Sequence, residues 1–170
     1  MTQTQLESVE QDIASHDWET LISGQNVACY AAWGTEPGTD NLRKKLIELG
    51  KRVYLPVITS DTQMLWGLDQ PPYSENRFGI PEPEISDFEL GLATAIILPA
   101  LCADLSGVRL GRGAGYFDRA LEEIPAHQLG GPIRIALLFD DEVLPSVPSD
   151  IHDQLIDLIV TPTKVIHCKK

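Results

Sequence analysis

Residues 109–119, RLGRGAGYFDR, gather side chains and backbone suited to holding a polyphosphate. Glycines at alternate positions 111, 113 and 115 permit positive φ and keep side chains out of a ligand's path, so successive N–H groups can face an anion. A helix is expected directly after the loop. Its positive end would add to the field of the Arg109 and Arg112 guanidinium forks. The spacing fits neither a Walker loop, because no Gly-Lys-Ser/Thr follows, nor a dinucleotide fingerprint, because its third glycine would fall on Tyr116. Asp118, one turn into the helix, is placed to hold Mg²⁺ beside such a cradle. The plainer alternative is a flexible surface turn that caps a helix.

Charge and size set what such a loop can serve. The chain has 170 residues, 43% hydrophobic and 22% charged, the mix of one compact domain with a core. With 25 acidic and 13 basic side chains the net charge is −12, which opposes general binding of nucleic acid or an anionic membrane. The basic residues cluster at 43–52, 109–119 and 164–170, and none precedes Arg43. The apolar stretch 90–101 is broken by Gly91, Thr94 and Pro99 and is too short to span a bilayer, which takes ~20 residues. No secretory signal is expected. Cys29, Cys102 and Cys168 fit neither a disulfide framework nor a zinc spacing, so a cytoplasmic location is expected.

Several elements must position these residues. Residues 4–22 carry a weak helical stripe of Leu6, Val9, Ile13 and Leu21, and 27–32 read as a short strand. Residues 38–49 read as a helix with Thr39 or Asp40 as N-cap and Gly50 as the stop. Residues 52–58 return to strand. Pro71, Pro72, Pro81 and Pro83 make 69–84 an extended loop. Strands are then expected at 93–98, 133–139 and 155–160, with a helix over about 115–124. Apolar strands without clean alternation, separated by helices, predict an α/β fold. Its form is a single-domain three-layer sandwich with a mostly parallel sheet and helices on both faces.

The run ILPALCADLSGVRLGRGAGYFDRAL resembles the signature of the 5-formyltetrahydrofolate cyclo-ligase family, also called methenyltetrahydrofolate synthetase. YAAWGTEPGT (30–39), GKRVYLP (50–56), FGIPEP (78–83) and VPSDIHDQLIDLIVTP (147–162) are similar to its other segments, in the same order. The resemblance implies conversion of 5-formyltetrahydrofolate and MgATP to 5,10-methenyltetrahydrofolate, ADP and phosphate. By residue match, Arg109, Leu110, Gly111, Arg112, Gly113, Ala114, Gly115, Tyr116 and Phe117 would wrap ATP, with Arg112 and Tyr116 nearest the transfer. Asp118 would take Mg²⁺ and Asp153 could assist, although His152 and Asp153 also read as a polar turn. Glu36 would meet the reduced folate, with Tyr30, Ala31, Trp33 and Phe78 against its flat ring. A carboxylate can accept two hydrogen bonds from a pterin edge. Glu36 lies far from the glycine loop in sequence, so its substitution is expected to affect folate and spare nucleotide. Trp66 reads as core, and a monomer is expected.

Family members usually begin with a basic helix that reaches the ATP phosphates. Here the first 42 residues carry seven acids and no cation, so residues 1–26 read as a divergent or shortened segment that would repel a nucleotide. Ala114 and Phe117 are smaller departures, the latter removing a phenolic donor. The alternative function is a non-catalytic paralogue that binds nucleotide or folate.

Overall fold

The structure, a computed structural model, describes residues 2–169. Its elements run α1 (Gln3–Ala14), α2 (Trp18–Leu21), β1 (Asn26–Ala28), α3 (Asp40–Glu48), β2 (Arg52–Ile58), β3 (Met64–Leu68), β4 (Tyr73–Glu75) and β5 (Pro81–Pro83). They continue β6 (Ala95–Pro99), β7 (Cys102–Asp104), β8 (Arg109–Leu110), α4 (Tyr116–Leu121), β9 (Ile133–Leu137), β10 (Val143–Leu144), β11 (Leu158–Val160) and β12 (Val165–His167). Seven strands form the main sheet in the order β12-β11-β9-β6-β1-β2-β3. The inner five are parallel, and both edge strands are antiparallel to their neighbours.

Alternation along the strands sends side chains to two buried faces. Val27, Val53, Ile97 and Ile135 meet Ile13, Trp18, Leu42 and Leu46 of α1–α3 on one side. Ala28, Ile96, Leu98 and Ala136 meet Leu121 of α4, Trp66 and Leu90 on the other. The mixed α/β architecture with a mostly parallel sheet is therefore as expected. Trp66 is core, as read.

Four local expectations are corrected. The single helix over 4–22 is two helices, because the Ser15 hydroxyl donates back to the Asp12 carbonyl at 2.7 Å and Asp17 caps a new start at the Thr20 N–H. Thr39 does not cap α3: its hydroxyl donates to the Tyr30 carbonyl at 2.7 Å. Glu10 of α1 supplies the cap, accepting the Asn41 N–H at 2.7 Å. A Cβ on Gly38 would lie 2.5 Å from the other Glu10 oxygen, so a larger residue there would displace this capping side chain. The proline-rich 69–84 segment contains the hairpin β4–β5, with Pro81 and Pro83 in a two-stranded sheet where a missing donor is tolerated. Finally, α4 spans six residues, shorter than 115–124. Edge strands β3 and β12 and the small β10-β7-β8 sheet were not anticipated.

Candidate active site

A cleft of about 890 Å³ opens beyond the carboxyl ends of β1, β2 and β6, where open α/β sheets place their ligands. Every residue nominated above for ATP, folate or metal lines it. Four segments build its walls: the turn after β1, the β4–β5 hairpin, the glycine loop with α4, and the 150–153 turn.

The glycine loop enters from β8 and leaves into α4. Gly113 and Gly115 take φ of +88° and +67°, while Gly111 does not need positive φ. Nothing lies within 4 Å of a Cβ built on Gly113, so that glycine is demanded by backbone conformation and leaves open space above the loop. With only six residues, α4 contributes less dipole than a full helix. The loop is braced by side chains instead. Arg119 donates to the Ala114 carbonyl at 2.9 Å and lies over the Tyr116 ring at 5.2 Å. Tyr116 donates its hydroxyl to the Ser60 carbonyl at 3.1 Å, which pins the loop to the turn after β2. Phe117 packs edge-on against Trp66 at 6.2 Å, so a ring without a hydroxyl suits its place in the core.

Arg109 is buried, its side chain 3% exposed, and Nη2 meets Asp118 Oδ1 at 2.9 Å. Burial pushes this guanidinium below its ordinary pKa against the opposing pull of Asp118. The same Asp118 oxygen accepts the Gln154 N–H at 3.2 Å, and Asp153 Oδ2 accepts the Asp150 N–H at 2.6 Å. Asp118 is thus engaged with an arginine, and no group of three or more His, Cys, Asp or Glu among the described residues could hold a metal alone. Two carboxylates at one rim do suit a magnesium ion whose other ligands are phosphate oxygens and water.

Across the cleft, the turn after β1 meets the glycine loop directly. Arg112 Nε donates to Glu36 Oε1 at 2.9 Å, Nη2 donates to the Trp33 carbonyl at 3.0 Å, and the guanidinium carbon lies 4.9 Å from the Trp33 ring centre. Glu36 Oε2 accepts the Trp33 N–H at 2.8 Å. Remoteness in sequence therefore misleads here. Glu36 and the glycine loop are in direct contact despite their distance in sequence. Phe78 faces Trp33 at 5.9 Å from the hairpin side. Tyr30 is 3% exposed and its hydroxyl is buried without a hydrogen-bond partner among the described residues, while Ala31 lines the wall beside it. Burial, then the nearby Cys29 and Glu36, push the Tyr30 phenol well above its usual range, so it stays a donor.

No residue of α1 or α2 lines the cleft, and two other acids of the first 42 residues are matched by Arg43 and Arg112. Sequence reading missed Asn76, Glu82 and Arg119 as cleft residues. Arg119 closes the glycine motif and could have been found there, whereas Glu82 sat between prolines in a segment read as loop.

A family profile described as the 5-formyltetrahydrofolate cyclo-ligase family matches residues 1–162. The 5-formyltetrahydrofolate cyclo-ligase of Mycolicibacterium smegmatis is 38% identical over 154 residues, covering 85% of this chain and 77% of that protein. The enzyme of the same name from Escherichia coli K12 is 32% identical over 153 residues, covering 85% and 82%. The 5,10-methenyltetrahydrofolate synthetase of Aquifex aeolicus has the same fold, with a TM-score of 0.82 at 22% identity over 100% of this chain and 86% of that one. With a profile spanning nearly its whole length, the chain belongs to the 5-formyltetrahydrofolate cyclo-ligase family.

Proposed function

We propose that this cleft converts 5-formyltetrahydrofolate to 5,10-methenyltetrahydrofolate at the expense of ATP. The observation that carries the reading is the meeting of Arg112 and Glu36 over Trp33, which joins the phosphate-type loop to the aromatic wall within one cavity. The relatives named above are enzymes, which favours catalysis over a paralogue that only binds.

In this reading residues 109–117 hold the triphosphate, with loop N–H groups and Arg112 facing its anionic oxygens. The formyl oxygen of the folate takes the terminal phosphoryl group, ADP leaves, and N10 then closes the ring as phosphate departs. No covalent nucleophile on the protein is needed, because phosphoryl transfer depends on positioning and on neutralising charge. Arg112 has two of its three nitrogens engaged by Glu36 and Trp33, so its free Nη1 edge is fixed in direction before a ligand arrives. The buried Arg109, paired with Asp118, ties the start of the loop to α4. Tyr30, Ala31, Trp33 and Phe78 give the flat ring apolar contact and keep water from the activated formyl group. Asp118 and Asp153 would hold Mg²⁺, which would supply charge neutralisation to the phosphates.

The chain is taken to act as one unit of residues 1–170, a cytoplasmic monomer without nucleic-acid or membrane partners. Both hydrophobic clusters share the central sheet, and no helix among the described residues is long and apolar enough to cross a membrane. The direct test mixes protein, MgATP and 5-formyltetrahydrofolate and follows the absorbance of the methenyl product. Product is expected only when both substrates are present. A folded sample that makes none at high protein concentration refutes the reading.

A further inference from the structure

Glu82 stands apart from the other carboxylates of the cleft. Glu36 and Asp118 are neutralised by Arg112 and Arg109, and Asp150 is exposed to water. Glu82 is only 7% exposed, and no cation among the described residues forms an ion pair with it. Its hydrogen bonds both fall on one oxygen: Oε1 accepts the Ile58 N–H at 2.9 Å and the Asn76 Nδ2–H at 2.8 Å. Oε2 has no partner among the described residues, and Glu82 is one of the residues that line the cleft. Oε2 is not among the fully buried polar atoms, so a donor on a ligand can reach it and complete its bonding.

The surroundings define what that ligand can be. Asn76 accepts the N–H groups of Phe78 and Ile80 at 2.9 and 3.1 Å while donating to Glu82. One side chain therefore fixes both the aromatic lip and the acid of the hairpin. Ile58, Met64, Phe78 and Ile80 make the wall around the carboxylate apolar. Such a wall accepts a flat ring with N–H groups on its edge and repels a carboxylate tail.

We infer that Glu82 orients the reduced folate, its free Oε2 accepting N–H bonds from the amino-oxo-pyrimidine edge of the pterin. The glutamyl tail is thereby turned away from the hairpin. This assignment rests on the cyclo-ligase reading of the cleft. It gives the pterin edge a carboxylate with one unpartnered oxygen, whereas each oxygen of Glu36 already accepts one bond.

Glu82→Gln is the discriminating variant. The amide oxygen keeps the Ile58 and Asn76 bonds, while the free oxygen becomes an N–H₂ that faces the pterin donors. Calorimetry should show affinity for 5-formyltetrahydrofolate falling by about ten- to a hundredfold, the range of a charge-assisted bond. ATP affinity and melting temperature should stay at the wild-type level. A folate analogue lacking the exocyclic amino group should bind the two proteins more nearly alike, because the contact at issue is already absent. Equal affinity of both proteins for 5-formyltetrahydrofolate overturns the assignment. So does a parallel fall in folate affinity, ATP affinity and melting temperature, which would make Glu82 a brace of the hairpin. If the wild-type protein does not bind 5-formyltetrahydrofolate, the cyclo-ligase reading falls first and this assignment with it.

Discussion

Replacing Glu36 by Gln tests the junction on which the site depends. Glu36 gives one oxygen to Arg112 Nε at 2.9 Å and the other to the Trp33 N–H at 2.8 Å. A glutamine retains a single acceptor oxygen and turns an N–H₂ toward the second donor, so one of the two bonds must be lost. A hydrogen bond to a charged group contributes about 1.5–3 kcal/mol. The Arg112 side chain is 35% exposed, which screens its share and places the loss near the lower end, about 1.5 kcal/mol. If Arg112 acts on the transferred phosphoryl group, kcat should fall about tenfold, since each ~1.4 kcal/mol is a factor of ten. The KM for ATP should rise together with that for folate, because the guanidinium edge facing the cleft is no longer held. The assay is methenyl absorbance with each substrate varied in turn, alongside thermal melting to show that the fold persists. A rise in the folate KM alone, with kcat and the ATP KM unchanged, would show that Glu36 is a folate contact and does not brace Arg112.

Two further outcomes follow from buried groups. Asp118→Asn keeps an acceptor oxygen beside Arg109 but leaves that buried guanidinium without a counter-charge, so the ligand-free protein should lose about 1–3 kcal/mol and melt several degrees lower. An unchanged melting temperature would refute the bracing role toward Arg109, while a raised Mg²⁺ requirement for turnover would bear on the metal role alone. Burial pushes the Cys29 thiol from its ordinary 9.0 up to about 12. It stays protonated in the folded protein while the unfolded chain ionises near pH 9, so its stabilising effect is intact below pH 9 and declines as pH rises toward 12. Urea midpoints measured from pH 8 to 10.5 should fall more steeply for the wild type than for Cys29→Ala, and parallel curves would refute this.

The parts of the site that a reader of the sequence finds are those whose chemistry is local. Residues 109–119 are legible because three glycines, three arginines and an acid lie within eleven positions, and the loop conformation they permit does not depend on distant partners. The Glu36–Arg112 pair is 76 positions apart and arises from sheet order. Because β6 lies directly beside β1, the turn after β1 and the glycine loop, which follows β6 by way of β7 and β8, meet at the carboxyl ends of the two strands. Nothing in the spacing of either segment states that adjacency. Glu82 is hidden for a similar reason, since its flanking prolines signal a loop while its meaning comes from a backbone N–H of β2, 24 residues earlier. Edge strand β3, MLWGL, lacks alternation, and its Gly67 reads as a break. Yet a Cβ there would come within 2.1 Å of the Glu84 carbonyl oxygen, so that glycine is what lets the chain leaving the hairpin lie against the strand. The hairpin could not bring Phe78 and Glu82 over the cleft if that approach were blocked. The residue that looks most like a defect in the strand is thus a condition for the wall that faces the ligand.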